Sequence, residues 1–207
     1  MKMDEFRTLP VGKWEQTLVV QKSQFVAFAA RVASSTEAQN IIKSVALPDA
    51  THHCYAYVTT DGQKSNDNGE PAGTAGLPIL QAIKSSGLNN VVVVVERYFG
   101  GIKLGTGGLS RAYGQAASQV LASVKPVLMC ACNVVGFESS YEQQMVVAKL
   151  VAEYGKVLVV DYLATVCWRV AIPLAKQYEF VNKLTEVLRA KPNLTMIESH
   201  TWVEFNA

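Results

Sequence analysis

The chain has 207 residues, 49% of them hydrophobic, and a formal net charge of +2; this suits one large or two small globular domains and excludes a protein that coats nucleic acid through bulk charge. The longest apolar runs, Val91–Val95 and Val157–Val160, fall far short of the roughly 20 residues that span a bilayer. The opening Met1-Lys2-Met3-Asp4-Glu5-Phe6 carries acids and no apolar stretch, unlike a secretory signal or a basic transit peptide, so a cytoplasmic location away from the membrane is expected.

In chain order, Trp14–Val20 and Gln24–Val32 are strand-like runs parted by the polar Gln21-Lys22-Ser23, and they predict a hairpin. Ser34 and Glu37 form a capping box ahead of Ala38, Ile41, Ile42 and Val45 at helical spacing, and Pro48 closes that helix. His52–Val58 is a β-branched and aromatic run suited to a strand. The polar, turn-rich Thr59–Pro71 that follows reads as a loop. Next comes a helix carrying Leu77, Leu80 and Ile83, with Pro78 in its first turn and Gly87 at its end. Val91–Val95 predicts a strand buried on both faces, and after a glycine-dense turn Leu109, Tyr113, Ala116 and Val120 mark another helix.

From about Lys125 the pattern restarts, with Pro126 as a linker residue. Val127–Phe137 reads as a strand; Tyr141, Met145, Ala148 and Val151 read as a helix ended by Gly155. Two strands, Val157–Tyr162 and Thr165–Ile172, precede a helix carrying Phe180, Leu184, Val187 and Leu188, and Leu194–Phe205 is a last strand. The order βαββαβ is that of a ferredoxin-like domain. The expectation is therefore an α+β chain of two domains, residues 1–130 and 131–207. Lys and Arg outnumber Asp and Glu by 12 to 9 over residues 1–137 and fall behind by 7 to 8 over 138–207, so any attraction to phosphate belongs in the first part.

Cys54, Cys130, Cys132 and Cys167 lack the dense spacing of a disulfide scaffold and read as reduced, mostly buried thiols. Cys130 and Cys132 would share one face of a strand, but a zinc site needs two further ligands that the sequence does not supply. No metal or other cofactor is assigned.

Two segments carry residues suited to chemistry. The first, Arg97–Tyr113, holds five of the chain's 14 glycines between a strand and a helix. Glycine admits positive φ and close approach of a ligand, while a helix start leaves N–H groups free for an anion. The candidate phosphate-binding set is Arg97, Tyr98, Gly100, Gly101, Lys103, Gly105, Thr106, Gly107, Gly108, Arg111 and Tyr113, centred on the glycine-rich loop 100–108. The same glycines would also serve a tight turn with no ligand. No Gly-Lys-Ser/Thr follows, so this is not a Walker A loop, and a Rossmann spacing is absent too.

The second segment, Asn66–Pro78, pairs Asp67 and Glu70 with small residues ahead of a helix. Two uses are open to these acids: holding Mg²⁺ or moving protons, and accepting backbone N–H groups to shape the loop, the commoner use of Asp in turns. His53, Gly69 and Thr74 belong with them as supporting residues. On a strand His52 and His53 point to opposite faces, so only one reaches a shared site, and the same alternation argues against a paired thiol and imidazole at Cys54. His200 reads as structural.

Taken together, His52-His53-Cys54, Asp67–Pro78 and Arg97–Tyr113 resemble the IMPACT family, whose signature runs close to D-D-G-E-P-x-G-T-A-G-x-P and then V-V-V-x-R-Y-F-G-G-x-x-L-G-x-G-G-L-x-R-A-Y. Lys22-Ser23-Gln24-Phe25 and the second domain extend the resemblance over almost the whole chain. Asn68 stands where the family usually has an acid, which weakens any mechanism needing two adjacent carboxylates. Glu96 replaces an expected neutral residue and is expected to temper the charge of Arg97.

The resemblance implies an N-terminal domain of the fold shared by the second domain of a small-subunit ribosomal protein and domain IV of elongation factor G. It also implies a C-terminal domain like the last domain of that factor. Eukaryotic members carry a further N-terminal domain that contacts a regulator of a stress kinase; this chain begins with the signature domain, so that partner is not expected. The expected function is that of a non-enzymatic RNA- or ribosome-associated factor in the regulation of translation, with Lys22 and the glycine-rich loop on phosphates. Two alternatives stand beside it: a metal-dependent enzyme acting on a phosphorylated small molecule or nucleotide, with Asp67 and Glu70 holding the metal, and a protein-interaction module with a protein partner. The oligomeric state is left open.

Overall fold

The computed structural model describes residues 4–46 and 48–205; Met1-Lys2-Met3, at the acidic start of the chain, lie outside the described residues. Arg7–Val127 forms one compact unit, and the described residues before Arg7 together with those from Leu128 onward form another. After the short strand β1 (Glu5–Thr8), β2 (Lys13–Val20) and β3 (Ser23–Arg31) make the expected hairpin. Its turn residues Gln21 and Lys22 both take positive φ, 46° and 68°, the handedness of the two-residue turn that matches strand twist, here made without glycine or asparagine. Helix α1 (Ser35–Val45) starts on Ser34, whose Oγ accepts the Glu37 N–H at 3.2 Å. Glu37 in turn accepts the Ala33 N–H at 2.6 Å, one residue earlier than in a standard capping box. The helix stops at Val45, ahead of Pro48.

β4 (His52–Thr59) is followed by β5 (Gly62–Asn66), inside the stretch expected to be loop. The β5 sequence Gly-Gln-Lys-Ser-Asn shows no apolar alternation because it lies at the sheet edge, mostly exposed. Its backbone ladder to β4, Tyr55 opposite Asn66 through Thr59 opposite Gly62, makes it a strand. α2 (Gly76–Ser86) ends on Gly87 in the left-handed conformation, and β6 (Val91–Tyr98) runs up the centre of the sheet, whose order is β2-β3-β6-β4-β5. Val91, Val93 and Val95 enter the core that α2 and α3 (Gly105–Ala122) cover, while Val92 and Val94 pack in a separate cluster with residues of α1. The run of five valines thus reflects burial on both faces. Because α3 begins at Gly105, the expected loop 100–108 is shorter: Gly105–Gly108 form the first helical turn.

The second unit runs β7 (Val127–Ser139), α4 (Gln144–Tyr154), β8 (Lys156–Tyr162), β9 (Val166–Pro173), α5 (Gln177–Leu188) and β10 (Thr195–Phe205). Antiparallel pairing orders its strands β10-β7-β9-β8, with β1 also beside β7, the arrangement of a ferredoxin-like domain. One expectation holds in part: Val151 is buried and Ala148 packs on the core, but Met145 is exposed and Tyr141 precedes the helix, while Val147, Leu150 and Tyr154 complete the buried face. The run Met-Val-Val-Ala-Lys-Leu-Val has apolar residues on more than one face, and packing against Phe180 and Trp168 selects the phase. Among the described residues no helix is long and apolar enough to cross a membrane.

Candidate functional site

The β6–α3 connection packs against the β2–β3 turn, and glycine makes this approach feasible: a Cβ on Gly100 would fall on the Lys22 carbonyl. Ser23, fully buried, receives the Gly100 N–H on its Oγ at 3.2 Å. On the neighbouring loop Gly76 is equally constrained, since a Cβ there would overlap the Asn66 backbone.

Arg97 leaves β6 toward α3, where it meets a buried carboxylate. Its Nη1 donates to Glu70 Oε1 at 2.7 Å, with side-chain exposures of 7% and 3% for the two partners. The guanidinium sits over Phe25 and Phe99, 5.7 and 5.5 Å from their ring centroids, and its Nε is buried without a hydrogen-bond partner among the described residues. Tyr113, also fully buried, donates to the same Glu70 oxygen at 2.9 Å. Burial, with Cys54 and Glu70 close by, raises the Tyr113 phenol far above its ordinary value. Arg97 and Tyr113 therefore support the site from beneath.

Asp67 is a scaffold acid. Oδ1 accepts the Ala75 and Gly76 N–H groups at 3.0 and 2.8 Å, and Oδ2 accepts Gly73 at 2.9 Å, so the carboxylate seats the start of α2. Partial burial acts to raise its pKa, but the three backbone donors prevail and hold it below the usual carboxylate value. Thr74 closes the same loop by donating to the Pro71 carbonyl at 2.7 Å. Asn68, at φ 42°, accepts the His53 N–H on Oδ1 at 2.9 Å. An acid there would supply the same acceptor, so this departure from the family pattern lies in a turn residue and removes no proton-transfer group. Asp67 thus takes backbone amides on both of its oxygens, and Glu70 Oε1 takes both Arg97 and Tyr113.

Strand register separates residues that the sequence grouped. His52 lies opposite Arg97 and His53 opposite Glu96. His52 Nε2 is 3.9 Å from Glu70, while its Nδ1–H donates to the Asn68 carbonyl at 2.8 Å. His53 instead meets Glu96 at 3.0 Å on the other face of the sheet, where Tyr98 also lies; burial and Glu96 raise the Tyr98 phenol. His53 and Tyr98 are thus not brought to the glycine-rich segment. Glu96 does not temper Arg97, whose counter-charge is Glu70. Cys54 donates its thiol to the Asp67 carbonyl, and burial pushes it up to about 12, leaving it an unreactive core group.

Beside this scaffold lies a hollow of about 310 Å³ lined by Glu70, Arg97, Phe99, Lys103, Thr106 and Leu109 among others. The N-terminus of α3 opens on it: no side chain caps the helix, and its first turn holds no acid. Lys103 and Arg111 are exposed, and Arg111 Nη1 would lie 3.7 Å from a Cβ on Gly107 in that first turn. Phe99 is 49% exposed. Gly101 and Gly105 supply positive φ, and Gly69 does so in the acid loop beneath. Lys22 is exposed at the tip of the abutting turn.

Sequence reading missed His52, Ser23 and Phe99. His52 shares strand parity with buried Cys54 and Ala56, which is a readable signal; Ser23 and Phe99 acquire their roles only from tertiary packing.

Residues 21–121 match the family model described as the Impact N-terminal domain. Over 187 residues the chain is 38% identical to the IMPACT family member YigZ of Escherichia coli (strain K12), an alignment covering 86% of this chain and 92% of that protein. It is 47% identical over 112 residues to the IMPACT family member YvyE of Bacillus subtilis (strain 168), covering 52% of each. A crystal structure of a hypothetical protein superposes with a TM-score of 0.63 at 34% identity, over 95% of this chain and 99% of that one.

Proposed function

The chain belongs to the IMPACT family, and from that premise we propose that it is a non-enzymatic RNA- or ribosome-associated factor in the regulation of translation, holding phosphate groups at the N-terminus of α3. One observation carries the reading: an uncapped, acid-free helix start opens on a hollow lined by exposed Lys103, with exposed Arg111 beside Gly107 on the same helix. Free N–H groups and a positive dipole end favour an anion, and two flexible cations beside them add to that preference. Exposed Phe99 favours RNA over a bare phosphate, because an unstacked base stacks on an aromatic platform next to its backbone contact.

The test is fluorescence anisotropy with single-stranded RNA across a salt series. Lys103→Ala combined with Arg111→Ala is expected to weaken binding and to flatten the slope of log K against log salt by about 0.7 for each phosphate no longer neutralised. Phe99→Ala is expected to lower affinity with the slope unchanged. Unaltered affinity and slope in the double variant refute the assignment of α3.

A further inference from the structure

β8 ends the sheet of the second unit, pairing among the described residues with β9 alone, so one row of its N–H and C=O groups faces outward. Between Lys156 and Asp161, β8 carries only Val157, Leu158, Val159 and Val160, the first three 38–39% exposed. The end of the strand and the turn beyond it continue the apolar flank: Tyr162 and Leu163 are 57% and 67% exposed, and Tyr141 stacks on Tyr162 at 6.3 Å and donates to the Leu163 carbonyl at 2.6 Å. An exposed apolar flank joined to an open strand edge marks an association surface.

We propose that a second copy of this chain pairs with this edge, β8 against β8, antiparallel about a two-fold axis through Val159. The choice of a second copy rests on self-complementarity. In a regular strand, residues five apart point to opposite faces. Here the β8–β9 register skips Leu158, with Val157 opposite Val170 and Val159 opposite Arg169. That bulge brings Lys156 and Asp161 to one face, opposite Ala171 and Cys167. Two-fold pairing about Val159 that leaves Leu158 of each copy out of the ladder, as the β8–β9 register does, sets Lys156 of each copy against Asp161 of the other, and Val157 against Val160. Lys156 Nζ donates to the Glu204 carbonyl at 2.9 Å within its own chain, and an ammonium has two further donors for a carboxylate. A foreign strand must match these charges separately at each end, whereas a two-fold copy that matches them at one end repeats the match at the other.

Sedimentation equilibrium of the full chain over a concentration series tests this directly. The wild-type mass is expected to rise from 22.5 kDa toward twice that value. Lys156→Asp sets like charges opposite each other and is expected to weaken association by about tenfold. Adding Asp161→Lys reverses both charges and is expected to restore it. Far-UV circular dichroism checks that each variant is folded, and Leu163→Ser, outside the ladder, serves as a milder second perturbation expected to weaken association. A wild-type chain that stays monomeric throughout, whether free or because β8 takes another protein's strand, overturns the proposal, as does a double charge reversal that fails to restore what the single change removed.

Discussion

Replacing Glu70 by alanine removes the partner of a buried guanidinium and the acceptor of a buried phenol in one step. Arg97 would keep only the Ser23 hydroxyl at 3.5 Å, and the Tyr113 O–H would lose its 2.9 Å acceptor. Breaking a buried ion pair by deleting one member costs about 3–5 kcal/mol, and an orphaned buried hydroxyl about 1–3 kcal/mol. The two losses overlap, so about 4 kcal/mol or more is expected, close to a thousandfold in the opening equilibrium. Native-state hydrogen exchange of the Val91–Tyr98 amides reads this unit without interference from the other, because central strand amides exchange through global opening of the unit. Glu70→Gln, which keeps a carbonyl acceptor, is expected to lose about half as much. The Glu70→Ala, Arg97→Ala double variant is expected to fall short of the sum of its singles by about 2 kcal/mol. A loss under about 1 kcal/mol for Glu70→Ala, or strict additivity, would refute the view that Arg97 is scaffold.

Gly100→Ala is expected to destabilise the first unit by about 1–3 kcal/mol and to weaken RNA binding, since its methyl would fall on the Lys22 carbonyl; a thermal melt and the anisotropy assay read both effects. The Cys54 thiol, pushed from 9.0 up to about 12 by burial, is expected to resist alkylation at pH 8 until the unit unfolds. Its contribution to stability is fully present below the unfolded value and declines as pH rises from 9.0 toward about 12, which Cys54→Ala should abolish in a pH series of melts. Asp67→Asn turns a donor toward the Gly73 N–H and is expected to cost about 0.5–2 kcal/mol in chemical denaturation. Because the folded Asp67 carboxyl titrates below 3.8, the wild-type advantage holds above that value and disappears as pH falls through the folded one.

Where side-chain pattern and burial coincide, the fold is legible from sequence. The five valines of β6, the Ser34 cap and the βαββαβ order each state their environment directly. β5 was invisible because an exposed edge strand needs no apolar side chains, only a partner for its backbone. The burial phase of α4 was ambiguous because its apolar residues ring the helix. At the site, alternation shows that His52 and His53 diverge but not which of them meets Glu70; the register of β4 on β6 decides it. The Glu70–Arg97 pair spans 27 positions and depends on where Asp67 anchors the intervening loop, a tertiary fact with no local signature.

The residues that most resemble chemistry in the sequence, two acids, an arginine and a tyrosine in glycine-rich surroundings, bond largely to one another and to the backbone. Burial makes that network rigid, although Glu70 and Arg97 also line the hollow beside α3. What it holds in place is a helix start whose electrostatics are unfavourable as they stand. A cation near a helix N-terminus opposes the dipole by about 0.3–1 kcal/mol, and α3 has Lys103 just before its first turn and Arg111 beside it, with no acid in that turn to offset them. An arrangement that costs stability in isolation and turns favourable when an anion arrives is what the proposed phosphate-binding role of α3 requires. The scaffold beneath it, fixed by Glu70 and Asp67, bears that local cost so that the exposed cations and Phe99 remain open to a partner.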